Sequence, residues 1–251
     1  MADEHKLEEK LLSQEAERRI SENFDEVEQI EIDVQTDLLK IIQGQADGVS
    51  VAGEGLVIQK DIRVQEIKLQ TDGIAINPLS AIFGDIKLDQ PVNTIAKITL
   101  TQADMNRALS SEFIRNQMPN LELDVDGEIV SLEPQEIQVF LPGAGKIEFR
   151  GKVLLNEKGN TRPLAFTAIA RPRTHSQPVM LESFNCTKGE GVSIEFITAL
   201  MHKAKELISI PYFKWNDIVF SIKDLKVEIG NLILMVEAQV KQIPSSDVLP
   251  L

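Results

Sequence analysis

Three histidines, one cysteine and two short glycine runs are the residues of this 251-residue chain most suited to chemistry, and none comes with the partners that chemistry needs. His5 falls in a charged N-terminal stretch, His175 in the basic segment RPRTHSQP and His202 in an amphipathic segment near the C-terminus. None has a second His or Cys at metal-ligand spacing, so no zinc site is expected. Cys186 stands alone, so no intramolecular disulfide can form, and it lacks a nucleophile signature; a buried structural thiol is expected. GEG at 53–55 and GAG at 143–145 continue into neither a phosphate loop nor a dinucleotide fingerprint. The run after the second, KIEFRGKVLL, alternates as a strand. Asp124 and Asp126 share a strand face suited to a cation or to solvent. No G-x-S-x-G elbow occurs. The expectation is a protein that is not an enzyme and needs no cofactor.

Charge narrows the partners. The net charge is −13. Residues 1–40 hold 13 acidic and 5 basic residues, a net of −8, whereas 141–175 hold 7 basic and 2 acidic, a net of +5. Phosphate neutralisation supplies most nucleic-acid affinity, so no nucleic-acid partner is expected. Permanent electrostatic docking on an anionic bilayer is disfavoured for the same reason. The basic stretch reads as a solvated sheet edge, with a local face that touches a membrane as the alternative. No run approaches the roughly 20 apolar residues of a membrane span, and the N-terminus lacks a signal peptide's apolar stretch. The expected location is cytoplasmic, with a peripheral position at a membrane surface as its extension.

The elements that would position a site follow from periodicity. Leu7, Leu11, Leu12, Ala16 and Ile20 predict a helix over 5–22. Residues 45–58 and 61–76 alternate as two long antiparallel strands within a strand-rich region, 30–100. Ile62 and Val64 occupy one parity, Ile67 and Leu69 the other; a bulge near Gln65–Glu66 would place all four on one face. Thr101 predicts an N-cap, with Asp104 in the first turn of a helix over 101–118. Strands fill 121–187, a second amphipathic helix spans 191–209, and a meander over 212–241 turns at Gly230–Asn231. One domain, 1–251, is expected, of α+β class and mostly antiparallel. The helix-plus-meander order recurs loosely, a hint of two related parts.

Apolar surface is what remains to be explained. Either the sheet closes a dry core over its helices, or it leaves a groove suited to acyl chains, each CH₂ of which is worth about 0.8 kcal/mol on burial. The residues alone favour the dry core.

The segments AERRISENF, DVQTDLLKIIQGQADGVSVAGEGLVIQKDIRVQEIKLQTDGIAI, NPLSAIFG and AKITLTQADMNRAL resemble the LmeA-type phospholipid-binding domain, closest to cytosolic-looking versions typical of cyanobacteria. The resemblance covers residues 10–110. It implies a tubular lipid-binding fold like half of a bactericidal/permeability-increasing protein, with a long, highly curved antiparallel sheet wrapped around one or two long helices. It also implies binding of phospholipid or glycolipid, with lipid transfer or membrane-lipid homeostasis as the role. The tunnel would be lined by Val49, Val51, Ile62, Val64, Ile67 and Leu69 on the strands, and by Ile194, Ile197, Leu200, Met201 and Ile208 on the second helix. Leu79, Ile82 and Phe83 would form a membrane-contact loop, touching the bilayer transiently, or else a loop folded back onto the core. Tyr212, Phe213 and Trp215 would plug or anchor one end. The alternative is a scaffold of the same fold with a filled core, which binds a protein partner through its acidic N-terminal helix.

Overall fold

In the computed structural model the described residues are 2–22, 24–58, 60–76, 88–117, 120–172, 179–189, 191–208, 213–215 and 218–240. They are mostly antiparallel sheet, with few helices. The chain divides into two compact units. The first comprises Met1–Thr99, Tyr212–Asp224 and Leu234–Leu251, and the second Leu100–Pro211 and Leu225–Ile233.

The first unit opens with helix α1 (Ala2–Ser21), followed by strand β1 (Gln29–Gln35) and a single helical turn and a half, α2 (Leu38–Ile42), capped by the Asp37 carboxylate on the Lys40 N–H. Two-residue strands β2 (Gln45–Ala46) and β5 (Ile74–Ala75) pair with each other. Between them run β3 (Gly48–Ile58) and β4 (Ile62–Thr71), and β6 (Val92–Thr101) follows. The chain ends in β12 (Phe213–Trp215), β13 (Ile218–Glu228) and β14 (Asn231–Val240), whose hairpin at Gly230, φ 74°, falls within the Leu225–Ile233 segment of the second unit. The sheet order is β1-β3-β4-β6-β14-β13-β12.

Alternation in β3 and β4 is broken once, and the break decides which side chains meet. The register steps from Glu54↔Glu66 to Leu56↔Val64, with Gly55 opposite Gln65 between them. Gly55 takes φ 61°, a left-handed conformation that favours glycine. The strand therefore resumes with its faces exchanged. A Cβ at Gly53 would lie 2.9 Å from Leu56 Cδ1 and 3.2 Å from Ile67 Cγ2, so these three positions share one face. Directly paired residues also share a face, which puts Ile62, Val64, Ile67 and Leu69 together. At Gly55 itself a Cβ would fall 2.2 Å from Glu28 Cδ, whose carboxylate pairs with Arg63 at 2.7 Å. Gly55→Ala should therefore cost about 1–3 kcal/mol, from left-handed strain and displacement of Glu28. Gly127→Ala, with a positive φ but open space around it, should cost less. Urea midpoints of the two variants check this.

The second unit begins with α3 (Gln102–Ser110) and α4 (Glu112–Gln117). The expected continuous helix over 101–118 is divided because Ser111 takes an extended ψ of 149°. Its buried hydroxyl donates to Ala108 O at 2.7 Å and accepts from the Ile114 N–H at 3.2 Å, ending one helix and starting the next. Strands β7 (Leu121–Val125), β8 (Glu128–Gly143), β9 (Lys146–Glu157), β10 (Asn160–Arg171) and β11 (Met180–Lys188) form a sheet of order β11-β10-β9-β8-β7. Helix α5 (Ile194–Ile208) starts where the Ser193 hydroxyl accepts from the Phe196 N–H at 3.1 Å.

Both units use one device to close a strand edge. In α1, Ser13 and Glu17, four residues apart, accept from the N–H groups of Val34 at 3.3 Å and Ile32 at 3.0 Å. In α3, Gln102 and Asn106, also four apart, accept from Leu141 N at 2.8 Å and Val139 N at 2.8 Å. Asn106 returns a bond to Val139 O at 2.7 Å. In each case the helix residue nearer the N-terminus serves the later strand residue. Polar side chains at helical spacing thus stand in for a missing strand, which is how a sheet edge is kept from pairing with another chain.

Candidate lipid-binding face

The strand residues expected to line a tunnel come together. Ile32↔Val51↔Leu69↔Ala96 form one directly paired row across β1, β3, β4 and β6. Gly53↔Ile67↔Ile98 form the next row, Leu56↔Val64 and Ile58↔Ile62 extend it, and Val34↔Val49 closes the other end. Val49, Val51, Ile62, Val64, Ile67 and Leu69 are all half-buried, among the fully buried Ile32, Leu56 and Ala96. The hydropathy pattern missed Ile32, Leu56 and Ala96 as members; the pairing register is what adds them.

The opposite face of the same strands is charged. Lys68 pairs with Glu66 at 2.6 Å. The hydrogen bond from Lys68 is the main cause that holds the Glu66 carboxyl below the ordinary glutamate range, and the bond in turn raises Lys68. With the folded pKa depressed, the pair is fully formed above the ordinary range and is lost as pH falls through the depressed value. Lys68→Gln should return the Glu66 titration upward toward the ordinary range, as read by side-chain carboxyl NMR.

Helix α1 and this sheet border an open groove of about 690 Å³, lined by Ser13, Gln14 and Glu17 of the helix and by Ile32, Val51 and Leu69 of the strands. Lys10, Glu31, Asp33 and Lys68 border it too. Ligand sites commonly measure about 300–1,000 Å³.

The helical half of the expected tunnel lies elsewhere, in the second unit. Ile197 and Leu200 of α5 pack against a dry cluster of Leu123, Val130, Leu132, Val153, Leu155, Leu164 and Phe196. Met201 is half-buried, whereas Ile194 stands 76% exposed at the helix start. Ile208 ends the helix. Cys186 also packs against the cluster. Phe196, 4% exposed, is the most buried apolar residue among the described side chains of the helix, and its place three residues after the capping Ser193 was the sequence signal for it. Leu79, Ile82, Phe83 and Tyr212 lie outside the described residues. Phe213–Trp215 form a strand paired with β13.

The basic stretch 141–175 is ion-paired along the second sheet. Arg150 meets Glu148 at 2.8 Å, Lys152 meets Glu136 at 2.6 Å, and Lys146 meets Glu182 at 2.7 Å, with Arg171 on the same carboxylate. Hydrogen bonds from Lys146 and then Arg171 hold the Glu182 carboxyl below its usual range. Asp124 accepts from the Gly127 N–H at 2.7 Å, a turn contact. Among the described residues no group of three or more His, Cys, Asp or Glu is placed to hold a metal ion, and no helix is long and apolar enough to cross a membrane.

The described residues thus gather a half-buried aliphatic face on four paired strands of a mostly antiparallel chain. Residues 4–237 match the LmeA-like phospholipid-binding family, and the chain belongs to that family. No curated protein and no solved structure matches it.

Proposed function

We propose that the protein binds the acyl chains of a phospholipid or glycolipid without catalysis, against the aliphatic face of the first unit. The observation that carries this is the continuous face Val51, Leu69, Ile67 and Val64, half-buried rather than closed and set beside the buried Ile32, in a member of a phospholipid-binding family. Aliphatic side chains there offer burial to methylenes and no directional contact, so selectivity among chains would be loose. Contact with a bilayer is transient, since the net charge of −13 opposes lasting attachment to anionic lipid. Exchange of lipid between membranes fits that brief contact.

The filled-core alternative has support in the second unit alone, where Phe196, Ile197 and Leu200 pack on the buried cluster and leave the helix's apolar stripe occupied by protein. The two are separated by substitution. Val51→Lys should remove most co-purifying lipid, because an ammonium on this face opposes burial of a chain beside it. Ile194→Lys, at an exposed site, should leave lipid content unchanged. Equal lipid in the Val51→Lys and parent proteins, both folded by circular dichroism, would move the site away from this face.

A further inference from the structure

The two edge-capping helices differ in how firmly they are held. Helix α3 is fixed throughout. Its first N–H donates to Gly230 O at 2.8 Å, Thr101 and Asp104 form a reciprocal cap, and Asn106 bonds Val139 in both directions. The strand residues it serves are 4% and 2% exposed. Among the described residues, the firm contacts of α1 gather at its C-terminal end. Beyond its C-terminus, Asp25 N donates to Val57 O at 2.9 Å, Val57 N donates to Glu26 O at 2.8 Å, and Lys60 N donates to the Asp25 carboxylate at 2.7 Å. Away from that anchor the contacts with β1 lengthen, from 3.0 Å at Glu17 to 3.3 Å at Ser13, and each is a single bond to a side chain that gives nothing back. The groove of about 690 Å³ lies along this helix, and Leu11 is 59% exposed.

Taken together, these contacts lead us to infer that α1 is a lid, held at its C-terminal anchor, which peels from the β1 edge to admit a lipid chain to the groove it walls. The inference rests on the lipid-binding function proposed above. Opening breaks two hydrogen bonds and uncovers the N–H groups of Ile32 and Val34 together with the Ile32 side chain, 4% exposed in the closed state, a local opening short of global unfolding. The bond to Glu17 breaks last, because it is nearest the anchor. In the closed state the same two bonds keep the β1 edge from pairing with another chain.

Amide exchange and a distance measurement on the full chain test this. Ile32 and Val34 should exchange faster than Val139 and Leu141 in the parent protein. Ser13→Ala with Glu17→Ala should accelerate the first pair about fivefold to tenfold and leave the second pair unchanged, which also reports an intact fold. Nitroxides at Leu11→Cys and Gln70→Cys, in a Cys186→Ala background, should show a longer and broader distance distribution when vesicles of phosphatidylethanolamine and phosphatidylglycerol are added. Uptake of vesicle lipid with an unaltered distribution would overturn the lid while leaving lipid binding intact. No uptake of lipid at all would overturn both. Equal exchange at all four amides would overturn the lid by itself.

Discussion

Asn106→Ala should lower the unfolding free energy by about 2–4 kcal/mol, from the usual cost of about 1–3 kcal/mol for each buried backbone group left without a partner. The asparagine amide accepts from the Val139 N–H at 2.8 Å and donates to the Val139 carbonyl at 2.7 Å. Val139 is 4% exposed, so water replaces neither bond without opening the sheet. No strand is at hand either: β7 pairs with β8 only as far as Leu121↔Leu132. Asn106→Asp keeps the acceptor and loses the donor, and it places a charge beside a carbonyl, so it should not rescue. Asn106→Gln overshoots by a methylene. Equilibrium urea unfolding of the three variants checks the order, and an Asn106→Ala protein within about 0.5 kcal/mol of the parent would contradict the edge-cap account.

Phe196→Ala should cost about 3–5 kcal/mol, the range for deleting a buried aromatic. Its ring is 4% exposed among Leu123, Val130, Leu132, Val153, Leu155 and Leu164, and it joins α5 to the second sheet. The cavity left would be lined by strand residues held in register by β8 and β9, which limits collapse. Ile194→Ala, two residues earlier on the same helix, should be close to neutral because Ile194 is 76% exposed. Thermal unfolding of the pair makes the comparison within one helix.

Much of the fold could be read from period alone. The two long strands expected over 45–58 and 61–76 are Gly48–Ile58 and Ile62–Thr71, and the Thr101 cap, the Gly230 hairpin and the mostly antiparallel sheet stand where the pattern put them. Alternation reports burial directly, which is why these features are visible. The edge caps were not. Ser13, Glu17, Gln102 and Asn106 are polar residues whose partners are backbone groups of distant strands, and hydropathy carries no trace of such a contact. Their i,i+4 spacing was the only mark they left. The Gly55 step was half visible: the parity change in β4 required an irregularity near Gln65, but the residue that supplies it lies on the neighbouring strand. On α5 the stripe was begun two residues early, at Ile194 rather than Phe196. Ile194 fits the helical period as well as Phe196 does, and only the Ser193 cap decides which of them begins the buried face. The expected tunnel joined strand and helix residues that belong to different compact units, a division that periodicity does not express.

The most direct test of lipid binding is native mass spectrometry of the purified protein, with organic extraction and lipid mass spectrometry on the same sample. The account predicts an adduct of one or more diacyl lipids at near-stoichiometric occupancy, lost on extraction and reduced in the Val51→Lys protein. An apo mass that stays unchanged after incubation with mixed phospholipid vesicles, in a protein with native unfolding behaviour, would contradict it.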